Sequence, residues 1–166
     1  MQESGIPTFR GPGGYWTVGS VNYRSEDLAT RAAFERMPED IWAWYIHRRS
    51  VCRAAAPNAA HRSLVALEEL LHDRFVLVTQ NVDGLHLLAG NTLTRTLEIH
   101  GNTDYIRCSR ACVWKMPDAV MLFPEGLPAT WEKGRPLGEE EKALLKCPRC
   151  GKWARPHVLW FDEVYD

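Results

Sequence analysis

Four cysteines stand in two close pairs, Cys108 with Cys112 in CSRAC and Cys147 with Cys150 in CPRC. Three residues separate the first pair, two the second, and 34 lie between the pairs. Thiolates at this spacing can reach one tetrahedral metal ion, and the arrangement points to a structural Zn2+ site rather than a disulfide scaffold. It also suits a reducing compartment. With all four positions filled by protein, no coordination site is left for a catalytic water, so any chemistry is expected elsewhere. The fifth cysteine, Cys52, reads as a core or half-buried thiol.

Three further stretches carry reactive or ligand-holding groups. TQNVDGLH places Gln80, Asn81 and Asp83 just after a short apolar run, amide and carboxylate groups suited to a ribose and a carboxamide. The same side chains could equally satisfy local backbone groups in an Asx-turn. LEIHG sets His100 before Gly101 at the end of another apolar stretch, where an imidazole could act as general base or serve a structural role. SGIPTFRG offers Phe9 and Arg10 in a glycine-rich loop that could close over a nucleotide. In WAWYIHRR, Tyr45 and Arg48 are three apart, so on a helix they share a face and could hold one small carboxylate together. The competing reading is an amphipathic helix with aromatics inside and Arg48, Arg49 and Arg53 in solvent.

The elements that must position these groups are legible in outline. SEDLATRAAFERMPEDIWAWYIHRRSVCRAA reads as helical, with Ser25 an N-cap and Pro38 in the first turn of the helix carrying Tyr45 and Arg48. A third helix follows, capped by Asn58, with an apolar stripe of Leu64, Leu67, Leu70 and Leu71. Phe75 to Thr79 is expected to be a buried strand, and a helix leading into an apolar strand is the grammar of a parallel α/β sheet. Ligands bind such sheets beyond the carboxyl ends of strands, where Gln80, Asn81 and Asp83 fall. The fold class expected is α/β: a partial Rossmann-like parallel sheet with helices, plus a small inserted zinc-binding module. The expected divisions are 1–97 for the first part of the Rossmann-like domain, 98–154 for the module and its flanks, and 155–166 for a return strand of the Rossmann-like domain. A net charge of -1 argues against a nucleic-acid partner. No apolar run approaches the roughly 18 residues of a membrane span, and the opening residues read as a Gly/Pro loop rather than a signal peptide.

The order SGIPTFRG, TQNVDGLH, LEIHG, two cysteine pairs and RPHVLWFDE closely resembles the sirtuins, NAD-dependent protein deacylases. The resemblance implies His100 as the general base toward a ribose hydroxyl. It implies Asn81 and Asp83, with Gln80 beside them, at ribose and nicotinamide, and Phe9 and Arg10 as the cofactor-loop pair. Cys108, Cys112, Cys147 and Cys150 match zinc ligands, although the family's first pair is more often separated by two residues. Val158, Leu159, Trp160, Phe161 and Glu163 match the region where an acyl-lysine peptide lies by strand addition. Tyr45 and Arg48 resemble the Tyr-x-x-Arg of the class preferring succinyl, malonyl and glutaryl groups. NAD as co-substrate, one structural Zn2+ and acyl-lysine proteins or peptides as substrates are therefore expected. The setting expected is cytoplasmic, or mitochondrial in a eukaryote.

The chain also departs from that pattern. The family's Gly-Ala-Gly phosphate turn would precede SGIPTFRG, and its Gly-Thr-Ser turn would follow WFDEVYD; the 166 residues hold neither. Gln2 stands where the charged-acyl class has a small residue. Weak NAD binding or none, exposed sheet edges and self-association of an otherwise monomeric protein are the expectations. The alternatives are a sirtuin deacetylase or mono-ADP-ribosyltransferase, and an inactive zinc-containing module that binds acyl-lysine.

Overall fold

The computed structural model describes residues 1–8, 16–18, 21–112 and 119–165. The long helical stretch divides into three: α1 (Ser25–Leu28), α2 (Arg31–Arg36) and α3 (Pro38–Ala54). Thr30 caps α2 by accepting from Ala33 N at 3.1 Å, and Pro38 opens α3, where the missing N–H costs no intrahelical bond. Glu39 and Asp40 in the first turn of α3 and Arg53 in its last turn complement the helix dipole. Helix α4 (Ala59–Leu71) begins with a capping box in which Asn58 accepts from Ala60 N and His61 N while His61 answers Asn58 N.

Among the described residues, three small sheets accompany the helices. Strands β1 (Trp16–Val18) and β2 (Val21–Tyr23) form an antiparallel pair. Strands β3 (Leu77–Thr79) and β4 (Thr96–Glu98) pair in parallel, with the five-residue helix α5 (Leu85–Ala89) between them in the chain. Strands β5 (Gly101–Cys108), β6 (Val120–Leu122) and β7 (Ala154–Val158) make an antiparallel sheet in the order β6-β5-β7, with α6 (Glu139–Leu144) between β6 and β7 in sequence. The main core joins this sheet to the helices: Phe34, Ile41, Trp42, Tyr45 and Ile46 meet Ile106, Leu145, Ala154, Val158 and Trp160. The Trp42 indole donates to Ala154 O at 2.9 Å, so α3 is fastened to β7 by a buried polar contact as well as by apolar area.

The structure overturns three expectations. The segment after residue 154 does not return to the parallel sheet, because β7 pairs antiparallel with β5. An apolar run identifies a buried strand without naming its neighbour. Pro156, which has no N–H to donate, is tolerated because β7 lies at the edge of its sheet. Nor is the leucine stripe of α4 buried: Leu67 is exposed and Leu70 is 72% exposed, while the helix turns His61 and Glu68 inward. Glu68 accepts from Asn91 Nδ2 at 2.7 Å and from the backbone N–H and hydroxyl of Thr92. This polar fastening holds α4 to the loop after α5. Val76, Val78 and Leu97 are exposed too, so one face of the β3–β4 pair is bare among the described residues. The strand expected over Phe75–Thr79 starts at Leu77 and is buried only in part, since a two-stranded pair offers little to pack against.

Candidate active site at the ends of the parallel strands

Thr79 lies opposite Glu98 in the β3–β4 register, and Ile99 N donates to Thr79 O at 3.0 Å. The strands are parallel, so the chain leaving β3 through Gln80, Asn81 and Asp83 emerges beside the chain leaving β4 through His100. Sequence-distant groups are thereby brought to one end of the sheet. Thr103 pins the first loop by donating both its N–H and its hydroxyl to Val82 O, at 3.0 and 3.1 Å. Asn81 N donates to Thr79 Oγ1, and Gln80 is exposed. Asp83 is buried; its Oδ1 accepts from Leu85 N at 3.0 Å, the local turn considered above. Its Oδ2 is buried without a hydrogen-bond partner among the described residues. A buried carboxylate oxygen rarely goes unsatisfied, so this atom fits a ligand carrying an N–H donor.

His100 is half-buried, and its place depends on the next residue. Gly101 has φ +78°, and a Cβ there would lie 2.0 Å from His157 O. Only glycine lets β5 approach β7 this closely, which allows Leu159 N to donate to His100 O at 2.9 Å. The imidazole Nε2 of His100 stands 2.8 Å from the Tyr165 hydroxyl, with the two rings stacked 5.9 Å apart.

Tyr45 and Arg48 are 2% and 4% exposed, so the reading that leaves Arg48 in solvent does not hold. Arg49 is also largely covered, bridging to Asp104 at 2.8 Å over the Phe123 ring, and of the three arginines only Arg53 is mostly exposed. Tyr45 accepts from the Trp160 indole at 2.8 Å, and its phenol also carries an O–H donor. Burial pushes the Tyr45 pKa up to about 12 and presses that of Arg48 below its ordinary value. Arg48 donates to Pro7 O and lies within electrostatic reach of Cys52, Tyr45 and Asp83. The pair therefore sits between Trp160 on one side and the Asp83 loop on the other.

At the end of β7 and just beyond it, Val158 and Trp160 are buried, Leu159 is half-buried and Phe161 is 52% exposed. The N–H groups of Leu159, Trp160 and Phe161 donate to His100 O, Glu163 Oε2 and Ala29 O. Glu163 is held by Arg155, with Arg107 at 3.6 Å. Burial works to raise its pKa, but the Arg155 guanidinium outweighs that and keeps it below the usual carboxylate range. Glu163 thus fastens the turn, joining Arg155 to the Trp160 N–H. Arg155, buried under Trp160 at 3.5 Å, is a site-shaping residue that sequence reasoning missed. The available signal was an arginine inside an apolar strand with a glutamate eight residues later. Phe9 and Arg10 lie outside the described residues.

The sulfurs of Cys108, Cys112, Cys147 and Cys150 all lie within 4.8 Å of one another, with Cys108–Cys150 and Cys112–Cys147 at 3.6 Å. A tetrahedron with metal–sulfur bonds of about 2.3 Å has edges of about 3.8 Å, so four thiolates here fit one ion. Backbone turns prepare the knuckles: Ala111 N donates to Cys108 O and Gly151 N to Cys147 O.

The Sir2 family pattern matches residues 1–166. The chain belongs to the Sir2 family. It is 43% identical over 165 residues to an NAD-dependent protein deacylase of Thermus thermophilus, covering 98% of this chain and 55% of the relative. It is 38% identical over 171 residues to the mitochondrial NAD-dependent protein deacylase sirtuin-5 of Canis lupus familiaris, covering 99% and 53%. A solved structure described as a Sir2 homolog–NAD complex superposes with a TM-score of 0.71 at 34% identity, covering 99% of this chain and 55% of that one. The chain thus spans little more than half the length of the relatives it matches. As a Sir2 family member it has the expected α/β fold with a parallel strand pair, helices and a clustered four-cysteine site. Among its described residues no helix is long and apolar enough to cross a membrane.

Proposed function

We propose that this Sir2 chain forms the acyl-reading and proton-accepting part of an NAD-dependent protein-lysine deacylase that favours acyl groups ending in a carboxylate. The observation that carries the acyl preference is the burial of Arg48 beside Tyr45, within electrostatic reach of the Asp83 loop. A guanidinium kept in a low-dielectric place is strongly stabilised by a carboxylate it can hold, and the Tyr45 phenol adds a second donor. When bound, NAD supplies an anomeric carbon that loses nicotinamide and takes up the acyl oxygen of the substrate lysine. Asp83 Oδ2 accepts from the carboxamide N–H, and Asn81 holds the ribose beside it. Tyr45 and Arg48 grip the far carboxylate and so orient the acyl chain along α3. His100 accepts a proton from a ribose hydroxyl, which lets that oxygen take over the acyl group. One water is consumed as the lysine amine leaves, and free lysine, nicotinamide and O-acyl-ADP-ribose are the products. The four cysteines hold a structural Zn2+ that takes no part in these steps, because their thiolates fill its coordination sphere.

Matched acetyl-lysine and succinyl-lysine peptides, incubated with the chain and NAD and followed by mass spectrometry, test this reading. Desuccinylation with O-succinyl-ADP-ribose formed, abolished in His100→Ala, supports it. Desuccinylation that survives His100→Ala overturns the assignment of the base.

A further inference from the structure

The Tyr165 contact with His100 has no part in the reaction proposed above. General-base catalysis needs a hydroxyl at hydrogen-bond distance from the imidazole, and a phenolic hydroxyl already stands there, 2.8 Å from Nε2 with its ring stacked on the imidazole. We propose that Tyr165 is a tethered stand-in for the hydroxyl substrate: it occupies the seat on His100 in the resting chain, shields Nε2, and must swing away before a ribose hydroxyl can take its place. The identity of the displacing hydroxyl rests on the deacylase reading, but the shielding does not.

The tether is short and its anchor firm. Glu163 is fixed by Arg155, by Arg107 and by the Trp160 N–H, and Arg155 is itself buried. His100 is fixed from the other side by the Leu159 N–H on its carbonyl. Between the anchor at Glu163 and the ring at Tyr165 lies only Val164, which is exposed. With one residue between anchor and ring, a ring displaced from the imidazole would stay in its vicinity. Tyr165 is itself 58% exposed, so its hold is one solvent-facing hydrogen bond and one stacked ring, enough to occupy the seat and weak enough to yield it. The ring lies outside the buried core clusters of the described residues, and its removal is expected to leave the fold intact.

The test is the rate at which diethyl pyrocarbonate modifies His100, followed by peptide mass spectrometry on the whole chain without NAD, with the exposed His72 as internal reference. Relative to His72, His100 is expected to react about fivefold faster in Tyr165→Phe, which lacks the hydroxyl, and about tenfold or more faster in Tyr165→Ala, which lacks the ring as well. Equal relative rates in all three proteins would overturn the proposal, as would acceleration in Tyr165→Ala alone, which would leave the hydroxyl no role. Because no cofactor or acyl peptide enters this assay, its outcome is independent of whether the chain is a deacylase.

Discussion

Replacing Gly101 with alanine perturbs the point where the candidate base meets the antiparallel sheet. The new Cβ would lie 2.0 Å from His157 O, 2.9 Å from its carbon and 3.3 Å from Val158 Cα. The first of these is roughly 1.5 Å inside an ordinary contact of about 3.5 Å, and the neighbour is backbone, which cannot rotate away. Holding an alanine at φ +78° costs about 1–2 kcal/mol. Separating β5 from β7 here also threatens the Leu159 N to His100 O bond and the Gly101–Val158 pairing, at about 1 kcal/mol for each hydrogen bond lost. The sum is about 3–4 kcal/mol, a large share of the 5–15 kcal/mol typical of a folded domain. Gly134 supplies the control: its φ is +84°, yet nothing lies within 4 Å of the position its Cβ would take, so Gly134→Ala should cost only the backbone component, about 1–2 kcal/mol. Urea unfolding of both variants, compared at constant m, measures the difference. If Gly101→Ala is no worse than Gly134→Ala to within about 0.5 kcal/mol, the close approach of β5 and β7 is not what requires glycine.

Tyr45→Phe leaves the buried Trp160 indole without its acceptor and is expected to cost about 1–3 kcal/mol by urea unfolding; a loss near zero would mean the contact contributes nothing. Burial, then Arg107 and Arg155, lower the His157 pKa to about 4. The folded chain therefore binds this proton less readily than the unfolded one, whose histidine titrates near 6.5. The contribution of neutral His157 is complete above about pH 6.5 and lost as pH falls toward 4, and the His61 and His86 pKa values are lowered in the same sense by burial. His157→Gln should flatten the fall of stability between pH 6.5 and 4, and an unchanged slope would remove His157 from the explanation. The chain as purified should release one equivalent of zinc to a chelator, with loss of near-ultraviolet circular dichroism from Trp131 and Trp153 around the module, and Cys112→Ser should bind the metal more weakly; less than half an equivalent in the unaltered chain would contradict a built site.

What the sequence revealed and what it hid separate by the range of the interactions. Pro38 at the start of α3, Asn58 at the start of α4 and the cysteine knuckles are local devices, set by residues three or four apart, and the structure places them as read. The end of β3 was legible for the same reason, since polar residues follow a β-branched run. The partner of β7 was not, because pairing across nearly fifty residues leaves no trace in an apolar pattern. The leucines of α4 misled because periodicity shows which face could be buried, whereas here the inward face is occupied by Glu68 and its bonds to Asn91 and Thr92. Arg155 and Glu163 combine in a buried ion pair that composition alone hides. The Tyr165 contact needs the fold to bring residues 100 and 165 together.

The central claim is that Arg48 reads a carboxylate at the end of the acyl group. Its most direct measurement is the ratio of kcat/KM for succinyl-lysine over acetyl-lysine peptides in the unaltered chain and in Arg48→Met. Arg48 also holds Pro7 O, so the substitution is expected to lower both activities somewhat, and the ratio cancels that shared loss. A charge-assisted hydrogen bond of about 1.5–3 kcal/mol corresponds to a fall in the ratio of about 10-fold to 150-fold. A ratio that stays the same while both activities drop would contradict the claim and leave Arg48 as a brace for Pro7.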